Sequence, residues 1–381
     1  MTVAVPHEEV GARVRVRRAS IRDFRNLRRV ELEVPPDGLV IVGENGHGKT
    51  NLLEAFYYLE LLRSVRGARD QDLVRFGADG FFIAAEALGA RAREISIGFE
   101  RNGRRKRVTV DGGVVSRLSD ALGSLPAVMF APRDVELVAG APGARRRFLD
   151  VALALTSRRY LAALQQYRSA LVRRNSALRA VARTGAGDQR AAVWEPALAQ
   201  AGAVLWAERL AWVTRAAPRF AELCAAIGEL GTVSMRYASA LEAGSNLEER
   251  LAGAFAARRA HDVRRGITHA GPHRDELVLQ LDGRELRAFG SAGQQRTASI
   301  ALRMLEAETL RAATSAAPLF LLDDPFAELD ARRSTRILEL LAHEGLGQVV
   351  LAVPRETDIP AGLTRLERRR MVDGVLTRED A

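Results

Sequence analysis

Three short stretches of this chain carry residue types whose spacing suits phosphate chemistry. Gly43-Glu-Asn-Gly-His-Gly-Lys-Thr50 reads G-x-x-x-x-G-K-T. Glycines at Gly43, Gly46 and Gly48 let successive backbone N–H groups, across Glu44, Asn45 and His47, approach phosphate oxygens with no Cβ in the way. Lys49 offers a compact positive charge to the β- and γ-phosphates, and the Thr50 hydroxyl can ligate Mg²⁺. The second stretch, Leu319-Phe-Leu-Leu-Asp-Asp324, is an apolar strand delivering two adjacent carboxylates at its end. Strand side chains alternate, so the two point differently. Asp323 can serve the Mg²⁺ shell while Asp324 faces an attacking water. The third, Ser291-Ala-Gly-Gln-Gln295, opens a helix. Ser291, Gly293, Gln294 and a helix N-terminus are the parts that hold a γ-phosphate from outside. One chain already has its own phosphate loop. A second phosphate-binding helix start therefore suggests an ATP-dependent homodimer with two composite sites; a plain helix cap is the other reading of that stretch.

The composition sets bounds on this chemistry. The chain has 381 residues, 47% hydrophobic and 27% charged, which is ordinary for a globular protein and enough for two to three domains. Its net charge of +10 favours a polyanionic partner, nucleic acid before membrane, although a compositional taste for Arg and Ala would give the same excess. Arginine outnumbers lysine fifty-five to two, the lysines being Lys49 and Lys106. Lysine at position 49 is therefore a choice of a point charge over a planar fork. One cysteine, Cys224, excludes a disulfide framework or a Cys-cluster metal site, and it reads as an inert core thiol. No 18-residue apolar run predicts a membrane span, and Met1–Val16 lacks the apolar core of a signal peptide. A reducing cytoplasmic setting is the expectation.

The elements that must position these residues follow in order. Residues 1–11 read as a disordered leader. Arg13 to Ile21 and Arg28 to Val34 are predicted strands joined by an Asp23–Asn26 turn, with Val30, Leu32 and Val34 alternating in period two. Pro35–Gly38 breaks the chain before a buried strand at 39–42, and a helix with a broad apolar face runs from Lys49 to about Leu62. From Phe81 to Val115 antiparallel strands are expected, with two-residue turns at Asn102-Gly103 and Asp111-Gly112. Arginines flank the first turn, which is a phosphate contact or a solvated charged turn. Residues 144–266 switch to 3.6-residue patterning and read as an inserted helical arm, with Pro218 ending or kinking its second long helix. Strands return at 276–287, 318–322 and 348–352, with helices at 294–313 and 331–343. The expected division is 1–143, 144–266 and 267–381. Trp194, Trp206 and Trp212 lie at helical spacings and read as packing residues. His273 is open to a nucleotide contact or a structural role. Arg145–Arg147 are phosphate contacts or a helix-start cluster.

Taken together, Gly43–Thr50, Ser291–Gln295 and Leu319–Asp330 resemble the phosphate loop, signature, second carboxylate motif and following loop of ABC-type ATPase heads. Asp23–Leu27, Gly43–Ala55, Phe130–Asp134, Arg145–Asp150, Arg173–Asn175, Gly271–Asp275 and Phe289–Thr297 narrow the resemblance to the RecF family, over about residues 13–345. The resemblance implies an α/β fold: an SMC-like, ABC-type P-loop ATPase head with an antiparallel β subdomain and an inserted α-helical arm. It implies ATP and Mg²⁺ as cofactors, with Gly43–Thr50 on ATP, Lys49, Asp323 and Asp324 catalytic, and Ser291 and Gly293 acting across a dimer. It implies weak DNA-dependent ATPase activity in recombinational gap repair and replication-fork maintenance, SOS support, duplex and single-strand/duplex junction DNA, and action with RecR and RecO to load RecA. A transporter ATPase subunit and a non-hydrolysing DNA clamp are the alternatives. The chain departs from the family pattern at Ala292, Val65 and Val353-Pro354, and has no switch histidine after the 348–352 strand.

Overall fold

The computed structural model describes residues 13–378, without 186, 242, 243, 245, 327, 328 and 344–346. The expected leader thus lies outside the described residues, as do Ala327 and Glu328 of the loop after the carboxylates. The chain forms two compact units, one of Met1–Asp134, Ala226–Gly228 and Ile300–Ala381, the other of Val135–Ala225 and Glu229–Ser299.

The first unit contains two six-stranded sheets. Its antiparallel sheet begins with the pair Arg15–Phe24 and Leu27–Glu33, continues through Gly80–Leu88, Glu94–Glu100 and Arg105–Val110, and ends at Gly113–Val114. Period-two alternation buries Ile95, Ile97 and Phe99 on one face and leaves polar residues on the other. Under that face, the Phe81 ring lies 5.3 Å from Phe24, 5.6 Å from Tyr58 and 5.6 Å from Phe99, tying the sheet to the helix Lys49–Leu61. The Asp111-Gly112 turn is as expected, with φ of 48° and 79°. The Asn102-Gly103 turn is wider than expected. The ladder closes at the Glu100–Arg105 pair, which leaves a four-residue loop, with the Arg104 N–H donating to Arg101 O at 3.3 Å.

The second sheet has the order Val375–Arg378, Glu367–Val372, Gly38–Val42, Val349–Val353, Leu319–Asp323, Ala127–Phe130. All its pairings are parallel except the terminal hairpin at its edge. Its central strands are buried at every position, which is why they read as continuous apolar runs rather than alternating ones. The second lysine also proves to be a point-charge site. Lys106 Nζ donates to Leu62 O and to Asp70, 3.2 Å away, and lies 4.6 Å over the Tyr58 ring. Burial holds its pKa below the ordinary value.

The second unit is built on the helices Pro142–Thr156, Arg158–Thr184, Glu195–Ile227 and Leu247–Arg265, with a three-stranded sheet. Two expectations change here. Pro218 does not end its helix, which runs on to Ile227 with the proline on an exposed position. A strand, Val233–Ala238, pairs antiparallel with Glu276–Leu281, so the compact unit continues past the expected boundary at 266 as far as Ser299. Backbone pairing outranks the composition shift that suggested the boundary.

Several stretches that carried the family resemblance serve this unit internally. Arg145 is buried and donates to the carbonyls of Leu137, Val138 and Gly140 and to Glu276 at 2.7 Å. It satisfies the carbonyls at the end of the short helix Glu136–Ala139 rather than meeting an outside phosphate. Arg174 is fully buried against Asp262 at 2.8 Å and Glu195 at 2.9 Å. Asn175 Oδ1 accepts from the backbone N–H and the hydroxyl of Thr268. His273 accepts from the Tyr167 hydroxyl at Nδ1 (2.6 Å) and donates from Nε2 to Thr268 O (3.0 Å), so its role is structural. Trp206, Trp212 and Cys224 are buried packing residues, and Trp194 stacks under Arg173 at 5.0 Å. Among the described residues no helix is long and apolar enough to cross a membrane.

Candidate nucleotide site

The phosphate loop leaves the buried strand Gly38–Val42 and enters the helix that starts at Lys49. Glycine is required at two of its positions. A Cβ on Gly43 would stand 2.3 Å from Met371 O. Gly48 has φ of 109°, and a Cβ there would stand 2.7 Å from Asn26 Oδ1. Asn26, from the turn of the first hairpin, braces the loop. It accepts from Asn51 Nδ2 at 2.8 Å, and its Nδ2 reaches Gly46 O at 3.5 Å. No side chain caps the start of the helix, which leaves its first N–H groups for a ligand.

The carboxylate strand Leu319–Asp323 lies one strand away, separated by Val349–Val353. Register places Asp323 opposite Ala352 and Val42 opposite Val353, so loop and carboxylates emerge at the same C-terminal edge. There the Thr50 hydroxyl donates to Asp323 Oδ1 at 2.9 Å. Asp324 follows just past the strand end with φ of 43°, its N–H bonded to Ala352 O at 2.8 Å, and borders the same cleft. The expected alternation does not extend to Asp324, because the strand ends at Asp323 and the next residue is left-handed. Lys49 is buried, with Nζ bonded to Gly43 O at 2.5 Å and Glu44 O at 2.8 Å.

Burial sets the electrostatics. It lowers the Lys49 pKa, against the pull of Asp323 and Asp324. It raises that of Asp323, opposed by the Thr50 hydrogen bond, Arg66 and Lys49, and reinforced by Asp324. The groups border a cleft of about 320 Å³ that also takes in Asn45, Arg66 and Pro354. The donor set fits a magnesium–triphosphate. The uncapped helix start and Lys49 suit phosphate oxygens, and the Thr50–Asp323 pair is a hard oxygen pair. Two protein oxygens leave most of an octahedral shell to phosphate and water.

The eight residues of Gly43–Thr50 form the loop, and Asp323 and Asp324 join it. Ser291, Gly293 and Gln294 belong to the second unit and are not among the residues lining this cleft. Ser291 and Gln294 make a reciprocal cap. Gln294 N–H donates to Ser291 Oγ at 3.3 Å and Ser291 N–H to Gln294 Oε1 at 2.9 Å, opening the helix Ala292–Thr314. Asp134 is not among the residues lining the cleft; it is buried and paired with Arg303 at 2.7 Å.

Three side chains around the site escaped the sequence reading. Glu54 sits fully buried on the loop helix and accepts from Arg25 (3.1 and 3.2 Å) and Ser64 (2.6 Å). Arg66 lies 3.6 Å from Glu54, donates to Asn51 Oδ1 at 3.3 Å and borders the cleft. Asn26 was visible only as a turn residue. Glu54 left a usable signal, a lone acid in the apolar run Leu52–Tyr58, whereas Arg66 among fifty-five arginines left none.

Comparison with known proteins agrees with this geometry. The model of the RecF/RecN/SMC N-terminal domain matches residues 15–359. The DNA replication and repair protein RecF of Chloroflexus aurantiacus is 37% identical over 387 residues, covering 93% of this chain and 97% of that protein. RecF of Anaeromyxobacter sp. strain Fw109-5 is 41% identical, covering 85% and 88%. A structure of the recombination mediator protein RecF with ATP superposes with a TM-score of 0.88 at 26% identity, over 98% of this chain and 100% of that one. An Smc head from Pyrococcus furiosus, at 18% identity and a TM-score of 0.55, shares the fold. With an ABC-type ATPase fold, a phosphate loop joined to its carboxylate strand, and relatives matched over nearly their whole length, the chain belongs to the RecF family of DNA replication and repair proteins.

Proposed function

We propose that this protein is an ATPase of DNA replication and repair in which ATP closes a homodimer on DNA and slow, DNA-dependent hydrolysis opens it. The observation that carries the reading is the Thr50–Asp323 hydrogen bond at 2.9 Å, which brings together two oxygen side chains 273 positions apart, on the cleft that Lys49 also borders. ATP would lie on the Gly43–Thr50 loop with Mg²⁺ at Thr50 and Asp323. Asp324, which borders the same cleft, would orient and deprotonate the attacking water. Ser291, Gly293 and Gln294 would complete the site of a second copy through the N-terminus of their helix. The net charge of +10 supports a DNA partner, duplex or single-strand/duplex junction, held by arginine–phosphate contacts. By likeness to the RecF relatives, the protein would act with RecR and RecO to load RecA at gaps, maintain forks and support SOS induction. A cytoplasmic location follows from that role.

One observation favours a second reading, a clamp that binds ATP without turning it over. Pro354 borders the cleft and offers neither proton nor hydrogen bond where a switch residue would stand. Sedimentation with and without ATP, Mg²⁺ and gapped DNA tests the proposal, with Asp324→Asn alongside the wild type. The expected result is an ATP-driven dimer whose DNA affinity falls steeply with salt, and an Asn variant that dimerises more persistently with turnover lost. A protein that stays monomeric at micromolar concentration with ATP and DNA refutes dimer closure. A wild type whose turnover equals that of the variant supports the clamp.

A further inference from the structure

The tip of the phosphate loop is held from outside by the last hairpin of the chain. The strand Glu367–Val372 runs parallel to the loop strand, pairing Arg370 with Val42, and turns back at Asp373-Gly374. Both turn residues reach His47, the freely variable position of the motif. Gly374 N–H donates to His47 O at 2.8 Å, and Asp373 N–H donates to His47 Nδ1 at 2.9 Å. The contact is confined by its neighbours. A Cβ on Gly43 would strike Met371 O, and a Cβ on Gly374, at φ of 78°, would stand 2.4 Å from Asn26 O. The carboxylates facing the imidazole are Asp373 (3.3 Å from Nδ1) and Glu44 (3.8 Å from Nε2), both largely exposed.

We propose that His47 is a positioning residue. Its imidazole Nδ1 latches the phosphate loop to the Asp373-Gly374 turn and pre-sets the loop's N–H groups for the triphosphate. The inference rests on the nucleotide reading of the cleft. Its physical basis is preorganisation: a loop already in its binding shape does not lose conformational freedom when phosphate arrives. The latch uses an acceptor at one position only. Asparagine can place Oδ1 where Nδ1 stands, whereas alanine has no acceptor there.

The test measures ATP binding by the full-length protein for the wild type, His47→Ala, His47→Asn, Gly374→Ala and the His47→Ala/Gly374→Ala pair. Ligand-free thermal unfolding is recorded for each. One hydrogen bond of ordinary net strength corresponds to about fivefold in affinity. His47→Ala is expected to weaken ATP about fivefold, with the ligand-free unfolding midpoint little changed. His47→Asn recovers most of the loss. Gly374→Ala, which forces the turn off Asn26, shows a defect of similar size, and the pair is no worse than either single variant. Equal ATP affinity for wild type and His47→Ala overturns the latch, as do equal losses for Ala and Asn or additive losses in the pair. A wild type that does not bind ATP at all instead refutes the nucleotide reading beneath it.

Discussion

Replacing Glu54 by alanine should unlock the phosphate-loop helix without touching the phosphate loop. Glu54 is fully buried and is the shared acceptor of the Arg25 guanidinium, at 3.1 and 3.2 Å, and the Ser64 hydroxyl, at 2.6 Å, with Arg66 3.6 Å away. Removing one partner of a buried ion pair costs about 3–5 kcal/mol, because the remaining charge is left uncompensated. Here the Arg25 and Arg66 side chains keep 21% and 29% of their exposure, so water recovers part of their solvation. The lower end, about 3 kcal/mol, is therefore expected. Glu54→Gln retains one oxygen for Ser64 or Arg25 and should cost about 1–2 kcal/mol. Native-state hydrogen exchange of the amides of helix Lys49–Leu61 reads this opening free energy directly. ATP affinity should fall in step, since Arg66 borders the cleft and loses its anchor. A loss below about 1 kcal/mol for Glu54→Ala, or equal losses for Ala and Gln, would refute the claim that buried charge compensation holds this helix.

Two further outcomes test other parts of the fold. Burial holds the His273 pKa down to about 4, from an unfolded value near 6.5. The neutral ring therefore stabilises the fold above the unfolded pKa, and this contribution is lost as pH falls from about 6.5 to 4, where only the unfolded chain takes up the proton. At about 1.4 kcal/mol per pKa unit the loss is at most about 3 kcal/mol, and unfolding free energies of wild type and His273→Gln across that range should differ in slope. Pro218 stands inside the helix Glu195–Ile227 on an exposed position. Pro218→Ala restores a helical N–H and should raise the stability of that unit by about 1–3 kcal/mol, read by urea unfolding of the buried Trp206 and Trp212. A drop in stability would refute the helical cost assigned to the proline.

The sequence alone determined the parts whose chemistry is local. Gly43–Thr50 reads as a phosphate loop because its glycines and spacing suit one, and the apolar run Leu319–Leu322 reads as a buried strand that delivers two carboxylates at its end. The strands and most helices followed from periodicity for the same reason. Their matches to the RecF family identified the chain before any coordinate. The tertiary structure decided what depends on neighbours distant in sequence. The Thr50–Asp323 pair closes a gap of 273 positions that no local pattern encodes. Whether Arg145, Arg174 and His273 face a ligand or their own core depends on burial, and all three turned inward to satisfy polar groups that packing had removed from water. The strand Val233–Ala238 exists because Glu276–Leu281 offers it a ladder, so its backbone pairing overrode the helical composition around it. His47 shows the division most sharply. The motif leaves its identity free, and only the fold, by bringing the Asp373-Gly374 turn against it, gives its imidazole something to hold.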